Sequence, residues 1–281
     1  MNRRPPRTEA PAPRSRTSPD RERGRASEVE GEVLYGIHPV LEALEAGKRT
    51  IDRILVARDG TQGLGRLLRK AREDGVPVTH LPKEILARKV GRAAVHQGVA
   101  ALVSAVPYSD PDDICRAAAA RPDGLVVVLD GVEDPRNLGA TIRSAAAAGA
   151  DGVLLGLEGT VGLTAVAAKA SAGAVERLPV ARDGRLRERL LALREAGFRL
   201  LALDPGGACA WDAVDLRGRQ VIVAGGEGRG LRRGLLEVCD LRIAVPLALG
   251  VESLNVSVAV AVVLFEAVRQ RRGGARRGSV S

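Results

Sequence analysis

The sequence has few of the residues that usually carry redox, metal or base-stacking chemistry. Aromatic side chains make up 2% of the 281 residues, and there are three cysteines and three histidines. Cys115, Cys209 and Cys239 are widely spaced, so neither a disulfide framework nor a CxxC metal pattern is present. The histidines are also dispersed, so no metal site is indicated. This cysteine usage fits a reducing cytoplasm.

Long apolar runs are scarce as well. The run from Val256 to Phe265 has ten residues, well below the roughly 20 needed to span a bilayer. The opening residues lack the apolar segment of a secretory signal, whereas an Arg-rich transit peptide stays open as an interpretation. With 45% hydrophobic residues, the chain is long enough for two domains of ordinary size. We expect a soluble protein with no membrane partner.

The net charge of +9 is unevenly distributed. Residues 1–30 carry eight arginines against five acidic residues and are rich in proline and serine, which predicts a disordered basic arm. Residues 271–281 carry four arginines and no acid, and are interpreted as a basic tail. Between them, residues 31–105 have twelve basic and eight acidic side chains, whereas residues 106–270 are net acidic. Phosphate binding is therefore expected in the N-terminal half.

Apolar patterns divide the rest of the chain into two α/β regions. Residues 31–106 predict a small unit with strands at Ile51–Ala57 and Val99–Val106 and helices at Pro39–Ala46 and Leu64–Glu73. Residues 107–124 contain the prolines and aspartates typical of turns, which predicts a linker that ends in a short helix. In residues 125–270, strand patterns alternate with helices, which predicts a parallel sheet covered on both faces. These strands are predicted at Leu125–Leu129, Gly152–Leu155, Arg199–Leu203, Gln220–Ala224 and Leu241–Val245.

Polar motifs follow three of these strands, at the edge where parallel sheets bind ligands. The first motif contains Asn137, Gly139 and Arg143. Asn137 is interpreted as a helix cap. Because helical side chains slant toward the N-terminus, the long Arg143 side chain could return to the same helix mouth. The alternative for Arg143 is a solvated surface charge.

The second motif is the glycine-rich stretch Gly225–Gly230. It is a weak match to a dinucleotide loop, because it lies late in the chain and carries Glu227, which would repel a pyrophosphate. A small neutral or cationic ligand, such as a sulfonium cofactor, is favoured. An oxidoreductase that binds NAD is the alternative interpretation.

The third motif places Ser253, Leu254 and Asn255 at the mouth of the apolar run that begins at Val256. Helix capping alone would explain the serine and the asparagine, since their side chains satisfy free backbone donors at a helix start. The other two motifs change that interpretation. Three separate strand ends carrying polar groups could converge on one site.

Taken together, these motifs resemble the SpoU (TrmH) class of RNA ribose 2′-O-methyltransferases in the SPOUT superfamily. The resemblance covers residues 33–270, and the closest likeness within the class is to the large-subunit ribosomal RNA guanosine 2′-O-methyltransferase. The sequence departs from the family motifs at two positions. Leu249 stands where a glycine is usual, and Gly250 follows it. Arg229 stands where an acid or a small residue is usual. The matching stretches are Asn137 to Arg143, Gly225 to Gly230, Val245 to Ser257, Lys169 to Ala174, Tyr35 to His38 and His96 to Gly98.

The resemblance implies a SPOUT-type parallel sheet with a deep trefoil knot over residues 125–270 and an L30e-like substrate-binding domain over residues 31–106. It also implies S-adenosylmethionine as cofactor, ribosomal RNA or transfer RNA as substrate, a homodimer and no metal. The guanidinium of Arg143 would activate the ribose hydroxyl electrostatically, because an arginine side chain keeps its proton and is a poor base. A catalytically silent RNA-binding ribosome-assembly factor is the alternative. The implied catalytic residues are Asn137, Arg143, Glu227, Ser253 and Asn255, and the implied cofactor-binding residues are Gly225, Gly230, Val245, Leu247 and Leu254.

Overall fold

The computed structural model describes residues 32–58, 63–91 and 94–277, with the backbone alone for residues 273–277. The predicted basic arm, residues 1–30, lies outside the described residues. The N-terminal unit, residues 32–103, is a four-stranded sheet with three helices. Its elements are β1 (Glu32–Tyr35), α1 (Ile37–Ala46), β2 (Ile51–Ala57), α2 (Gly65–Glu73), β3 (Val78–Leu81), α3 (Lys83–Val90) and β4 (Val99–Val103).

The sheet of the N-terminal unit is mixed. Its strand order is β1-β4-β2-β3, with β2 and β3 parallel and the other neighbours antiparallel. The predicted strand Ile51–Ala57 is confirmed, and the predicted Val99–Val106 ends earlier, at Val103. The four-residue strands β1 and β3 were not predicted, because most of their residues are only partly buried and they give no clear apolar alternation.

The C-terminal unit, residues 111–277, is an α/β unit built on seven strands. Its first half contains α4 (Pro111–Ala119), β5 (Leu125–Asp130), α5 (Pro135–Ala147), β6 (Gly152–Gly156), α6 (Ala165–Ala170), β7 (Val180–Asp183) and α7 (Leu186–Glu195). Its second half contains β8 (Arg199–Leu203), β9 (Cys209–Ala210), β10 (Gln220–Gly225), α8 (Arg233–Leu236), β11 (Leu241–Ala244) and α9 (Val256–Arg277).

The predicted parallel sheet with both faces covered is confirmed. All neighbouring strands are parallel, in the order β7-β6-β5-β10-β8-β11-β9. Alternate residues of β5 belong to two different cores. Val127 packs in a core with α5 and α9, and Val128 packs in a core with α4 and α7. Every residue of β5 is buried, as expected for a strand with helices on both sides.

The segment predicted as a linker, residues 107–124, contains α4. The carboxylate of Asp110 caps this helix by accepting from the backbone N of Asp112 at 2.8 Å, and Pro111 occupies the first turn. Ile114 and Ala118 are buried in the core that covers one face of the large sheet. This helix is therefore a packed layer of the C-terminal unit, which the Pro- and Asp-rich composition did not indicate.

The strand order decides where the three motifs lie. Strand β10 pairs with both β5 and β8, although β8 precedes it in the chain, and β11 pairs with the far side of β8. The carboxyl ends of β5 and β10 are consequently adjacent.

The knotted path of the chain stays a prediction. Residues 271–277 continue α9, so the first part of the predicted basic tail is helical, and no described helix is long and apolar enough to cross a membrane.

Candidate active site

The three motifs meet in a hydrogen-bonded group that we call the amide–carboxylate cluster, which consists of Asn137, Glu227 and Asn255. Glu227 Oε1 accepts from Asn137 Nδ2 at 2.8 Å and from Asn255 Nδ2 at 2.9 Å. Asn255 Nδ2 also donates to Asn137 Oδ1 at 2.8 Å. The residues are up to 118 positions apart in sequence, and each follows a different strand. One carboxylate therefore holds both amide side chains in place.

Asn255 is also the cap of α9. Its Oδ1 accepts from the backbone N of Ser257 at 2.9 Å and from Ser257 Oγ at 2.6 Å. A side-chain amide has an acceptor oxygen and two N–H donors. The oxygen of Asn255 therefore accepts from the first turn of α9, while its nitrogen donates to Asn137 and Glu227. The capping interpretation is confirmed for Asn255 and not for Ser253, and the role of this helix mouth in a functional site stays a prediction.

Asn137 does not cap α5, contrary to the sequence interpretation. The cap is Asp134, whose side chain accepts from the backbone N of Arg136 at 2.8 Å, and Pro135 occupies the first turn. The carboxylate of Asp134 serves the N–H of Arg136, and Pro135 has no N–H that needs a partner. The amide of Asn137 is therefore available to Glu227 and Asn255.

Arg143 lies outside the cluster. It is exposed and makes no hydrogen bond or ion pair with any described residue of the chain. Residues six apart on an α-helix are separated by about 120° around its axis. The expectation that Asn137 and Arg143 share one helix mouth is therefore not met within a single chain.

The glycines of the second motif allow a very tight turn. A Cβ on Gly225 would overlap the backbone of Gly230, and a Cβ on Gly226 would overlap the carbonyl oxygen of Gly131. Gly226 N donates to Asp130 O at 2.8 Å, and Gly226 and Gly230 form a bridge. Only residues without a side chain permit this approach between the loop and the end of β5.

An ion pair holds the far end of the same loop. Asp130 is buried at the end of β5 and accepts from Arg232 Nε at 2.8 Å and Arg232 Nη2 at 2.7 Å. Arg232 Nη1 also donates to the exposed Glu158 at 2.9 Å. Two parallel charge-assisted bonds fix orientation as well as distance. Sequence reasoning missed this pair, although an acid at the end of a buried strand and an Arg pair after the glycines were visible signals.

A cleft of about 450 Å³ opens beside the glycine loop, and its size suits a small-molecule cofactor. Ser253 and Glu227 line it. All five residues expected to bind the cofactor also line it, namely Gly225, Gly230, Val245, Leu247 and Leu254.

The charge of the cleft favours a cation. Three carboxylates line it, from Asp204, Glu227 and Glu252, against the single guanidinium of Arg229. Asp204 and Glu252 were not singled out from the sequence. This lining disfavours a pyrophosphate and suits a sulfonium ligand with apolar parts. Among the residues that the structure describes, no group of three or more His, Cys, Asp or Glu side chains could hold a metal ion.

A second cavity of about 270 Å³ lies on the other side of Glu227 and Val256, which line both spaces. Asn137 belongs to this second cavity. Glu227 of the amide–carboxylate cluster thus stands between the cleft and this second cavity. The remaining lining residues of the second cavity are Gly131, Val132, Glu133 and Asp134.

The departure at Leu249 keeps the backbone shape that a glycine would adopt. Leu249 has φ 57° and is fully exposed, and Gly250 has φ 72°. A left-handed conformation costs a residue with a Cβ about 1–2 kcal/mol. The exposed side chain of Leu249 gains no packing in return.

Both units of the chain match known protein families of RNA methyltransferases. Residues 124–265 match the SpoU rRNA Methylase family, and residues 33–109 match the family described as RNA 2′-O ribose methyltransferase substrate binding. An uncharacterized tRNA/rRNA methyltransferase of Mycobacterium avium is 40% identical over 264 residues, covering 94% of this chain and 85% of the relative. A protein of Mycobacterium tuberculosis with the same description is 41% identical over 262 residues, covering 93% and 80%.

Solved structures match across both units too. The SpoU methyltransferase AviRb from Streptomyces viridochromogenes, in complex with AdoMet, has a TM-score of 0.71 at 27% identity, covering 85% of this chain and 89% of that one. An AdoMet-bound rRNA methyltransferase from Sinorhizobium meliloti has a TM-score of 0.70 at 26% identity, covering 89% and 88%.

The parallel sheet, the acidic cleft at its carboxyl edge and the adjoining N-terminal unit are those of a two-unit RNA methyltransferase. The match to the family covers half of the chain by itself, and the curated relatives exceed 30% identity over most of their length. The chain belongs to the SpoU family of RNA 2′-O-ribose methyltransferases.

Proposed function

We propose that the substrate is large-subunit ribosomal RNA and that the methyl acceptor is the ribose 2′-hydroxyl of a guanosine. The coarser reaction, methylation of an RNA ribose with S-adenosylmethionine as donor, follows from family membership and from the AdoMet-bound neighbours. Transfer RNA as substrate is the second candidate, because the mycobacterial relatives are described as tRNA/rRNA methyltransferases.

One observation favours ribosomal RNA. The rRNA methyltransferase from Sinorhizobium meliloti covers 89% of this chain and therefore matches both units. A structure described as explaining 2′-OH methylation of C/U34 on tRNA covers 54% of this chain, at a TM-score of 0.50 and 28% identity. The presence of a separate substrate-binding unit is thus shared with the rRNA-directed relative. The choice of guanosine rests on the motif resemblance.

We assign cofactor binding to the cleft beside the glycine loop. Backbone groups of Gly225, Val245 and Leu254 would hold the cofactor, and the side chain of Leu247 would pack against its apolar part. When bound, S-adenosylmethionine supplies a methyl group on a sulfonium centre. The carboxylates of Asp204 and Glu252 favour that positive charge.

We assign positioning of the ribose to the amide–carboxylate cluster. Glu227 holds the amides of Asn137 and Asn255 in fixed orientations. The amide of Asn255 is fully used by Glu227, Asn137 and Ser257, so the second N–H of Asn137 Nδ2 and the free Oε2 of Glu227 are the groups that can align the hydroxyl. Ser253 lines the cleft close to this cluster in sequence. Holding two reactants in line supplies a large share of the acceleration in a transfer reaction.

We assign activation of the hydroxyl to Arg143. A guanidinium stays protonated, so it stabilises the developing negative charge on the ribose oxygen instead of accepting the proton. The exposed position of Arg143 leaves it accessible to RNA or to a second subunit. Activity that survives replacement of Arg143 by alanine, at saturating cofactor and RNA, would exclude this role.

We propose that the protein is a homodimer through the C-terminal unit. Val258 and Phe265 of α9 are 47% and 49% exposed and lie seven residues apart, on one face of the helix. Two exposed apolar side chains on one helical face are suited to an interface with a second copy. Light scattering with the Phe265→Glu variant tests the assignment, and a monomer is expected.

The substrate is tested by incubating the protein with S-adenosylmethionine and either large-subunit ribosomal RNA or transfer RNA, followed by mapping of 2′-O-methyl groups. The expected product is one methylated guanosine in ribosomal RNA. Methylation of transfer RNA alone would select the second candidate. Binding of S-adenosylhomocysteine with no methylation of either RNA would favour a silent assembly factor, and binding of NAD would favour an oxidoreductase.

A further inference from the structure

The stretch from Lys169 to Ala174 resembles the family but has no part in the cleft. With the three residues that follow, it forms a segment that we call the junction segment, residues 169–177. This segment lies against the N-terminal unit, and the two units share one continuous apolar core that includes Leu34, Val103 and Leu129. The junction segment therefore contacts the substrate-binding unit while belonging to the chain of the methyltransferase unit.

A buried ion pair lies at the centre of this contact. Arg49, in the loop between α1 and β2, donates through Nε to Glu176 Oε1 at 3.0 Å and through Nη2 to the same oxygen. Both side chains are essentially inaccessible, at 0% and 1% exposure. Arg49 Nη1 donates to the carbonyl oxygen of Ser104 at 3.1 Å and lies 3.6 Å from Glu32 Oε2. The guanidinium thus joins Glu176 to β1 and to the residue that follows β4.

Further contacts surround the buried pair. Arg177 pairs with Glu42 of α1, and Lys48 Nζ donates to the carbonyl oxygen of Arg177 at 3.2 Å. At the other end of the segment, Lys169 Nζ lies 4.0 Å from the centroid of the Tyr35 ring. The junction segment is therefore held to α1 at one end and to β1 at the other.

The junction segment also packs directly on the helix that carries Asn137. A Cβ on Gly139 would overlap the carbonyl oxygen of Ala167 and lie 2.9 Å from the backbone N of Ser171. The glycine of the first motif thus brings α5 into backbone contact with α6 and the start of the segment. A continuous line of packed groups runs from the N-terminal unit to the amide–carboxylate cluster.

We infer that the junction segment and Arg49 clamp the substrate-binding unit in one orientation relative to the amide–carboxylate cluster, with Arg49 and Glu176 as positioning residues for methyl transfer. A buried ion pair adds little to stability, because desolvation of the two charges offsets their attraction. It is selective for geometry, since any shifted packing of the two units would leave a buried carboxylate without its partner.

This inference rests on the proposed function in one respect, which is that RNA binds to the N-terminal unit. If that unit holds the RNA, its orientation decides where the ribose lies against the cluster. A misplacement of about 1 Å in a transfer reaction can cost about 100-fold in rate. Loosening the clamp is therefore expected to lower kcat much more than it raises KM for RNA.

The test compares full-length Glu176→Gln, Arg49→Lys and a matched control, Asp183→Asn. Asp183 is also a buried carboxylate, and it accepts from Arg189 Nε at 2.8 Å and from Arg185 N at 2.7 Å, entirely within the C-terminal unit. Glu176→Gln should lower kcat for RNA methylation by at least about tenfold, with KM for RNA and S-adenosylhomocysteine affinity within about twofold. Arg49→Lys, which keeps the charge, should retain more activity, and the control should keep its kcat.

Hydrogen exchange provides a readout that does not depend on activity. Glu176→Gln should speed amide exchange in residues 42–50 and 169–177 and leave the peptides of β5 and β10 protected. If Glu176→Gln does not fold, the exposed Arg177→Ala variant replaces it, with a smaller decrease of about threefold in kcat expected.

The outcomes separate the clamp from the proposed function. A folded Glu176→Gln protein with normal kcat, or one in which KM alone changes, would overturn the clamp. Loss of S-adenosylhomocysteine binding in Glu176→Gln would overturn it as well, since the clamp acts on orientation and not on the cleft. If the wild-type protein methylates no RNA, the proposed function fails, and the clamp is then decided by whether exchange rises at the junction while the cleft stays unchanged.

Discussion

The two units of this chain are both α/β, yet they present opposite chemistry. The C-terminal unit buries every residue of β5 and β6 between helices and places three carboxylates in its cleft. In the N-terminal unit, β3 has no fully buried residue, and α2 exposes Arg69 and Arg72. The exposed arginines of α2 are therefore available to a large polyanion, whereas the carboxylates of the C-terminal cleft repel one.

The difference separates two electrostatic tasks. An acidic cleft concentrates a cationic cofactor, and a basic surface on another unit attracts RNA phosphates without competing for that cleft. In the proposed function, the two reactants are held by different units. Their relative placement then depends on the junction between those units.

Removing the acceptor of the cluster should have the largest effect. Glu227→Ala leaves the amides of Asn137 and Asn255 without their shared carboxylate, and kcat should fall by about 100-fold or more. Single-turnover methylation assays measure this loss. The matched control is Glu252→Ala, which removes another carboxylate of the cleft and should weaken cofactor binding while kcat at saturation is kept. Equal kcat losses in both variants would contradict a special role for the cluster.

Neutralising exposed arginines on each unit tests the division of charge. The double variant Arg69→Gln and Arg72→Gln on α2 should weaken RNA binding by about tenfold at low salt. It should also make the plot of log binding constant against log salt concentration less steep, by up to about two released counterions. Arg187→Gln with Arg194→Gln, exposed on α7 of the C-terminal unit, removes the same charge. Filter binding at several salt concentrations compares them. If both pairs weaken binding equally, the assignment of RNA to the N-terminal unit is wrong.

Replacing Leu249 by glycine tests how the cleft loop keeps its shape. Leu249→Gly should relieve the left-handed strain and raise stability by about 1 kcal/mol, with a slight gain in cofactor affinity. Thermal unfolding and calorimetry measure the two effects. Leu249→Ala removes the side chain and keeps the strain, so it should behave like the wild type; a similar gain in that variant would refute the backbone explanation.

The smallest expected effect concerns Glu32, next to the buried pair at the junction. Burial and the nearby Glu176 raise the pKa of the Glu32 carboxyl above its ordinary value of 4.5, although Arg49 lowers it in part. Because the pKa of this carboxyl is higher in the folded protein than in the unfolded chain, its ionisation lowers stability when the pH is above the folded pKa. This loss disappears once the pH falls below the pKa that the carboxyl has in the unfolded chain. Glu32→Gln should therefore raise Tm at pH 7 by about 1–2 °C, and the gain should disappear near pH 4. A gain that is independent of pH would point to another cause.

Local sequence patterns were sufficient for some elements and insufficient for others. Strands β2 and β8 have the predicted bounds, and β5 and β10 differ by one residue, because continuous apolar runs mark buried strands well. Strand β7 was missed because Arg182 and Asp183 interrupt its apolar pattern, although Asp183 is buried with Arg189 as partner. Side-chain pairing, which compensates a buried charge, is invisible to a hydropathy pattern.

The site shows the same limit. The glycines and Glu227 were identified because their motif follows β10 directly, and Asn255 because it stands just before the apolar run of α9. The cap at Asp134, the exposed position of Arg143 and the Asp130–Arg232 pair depend on which way each element faces, and no local pattern records that.

The sequence by itself indicated two folded units, because apolar runs are local properties. Its motifs indicated the class of reaction and the three residues of the cluster through their resemblance to a known family, whereas Asp204 and Glu252 of the cleft were not found. The tertiary structure decided which of those residues touch. By inserting β10 between β5 and β8 it brought Asn137 to Glu227, and by joining Arg49 to Glu176, 127 positions away, it linked the two units. Contacts at such separations arise from strand order and packing, which no short stretch of sequence contains.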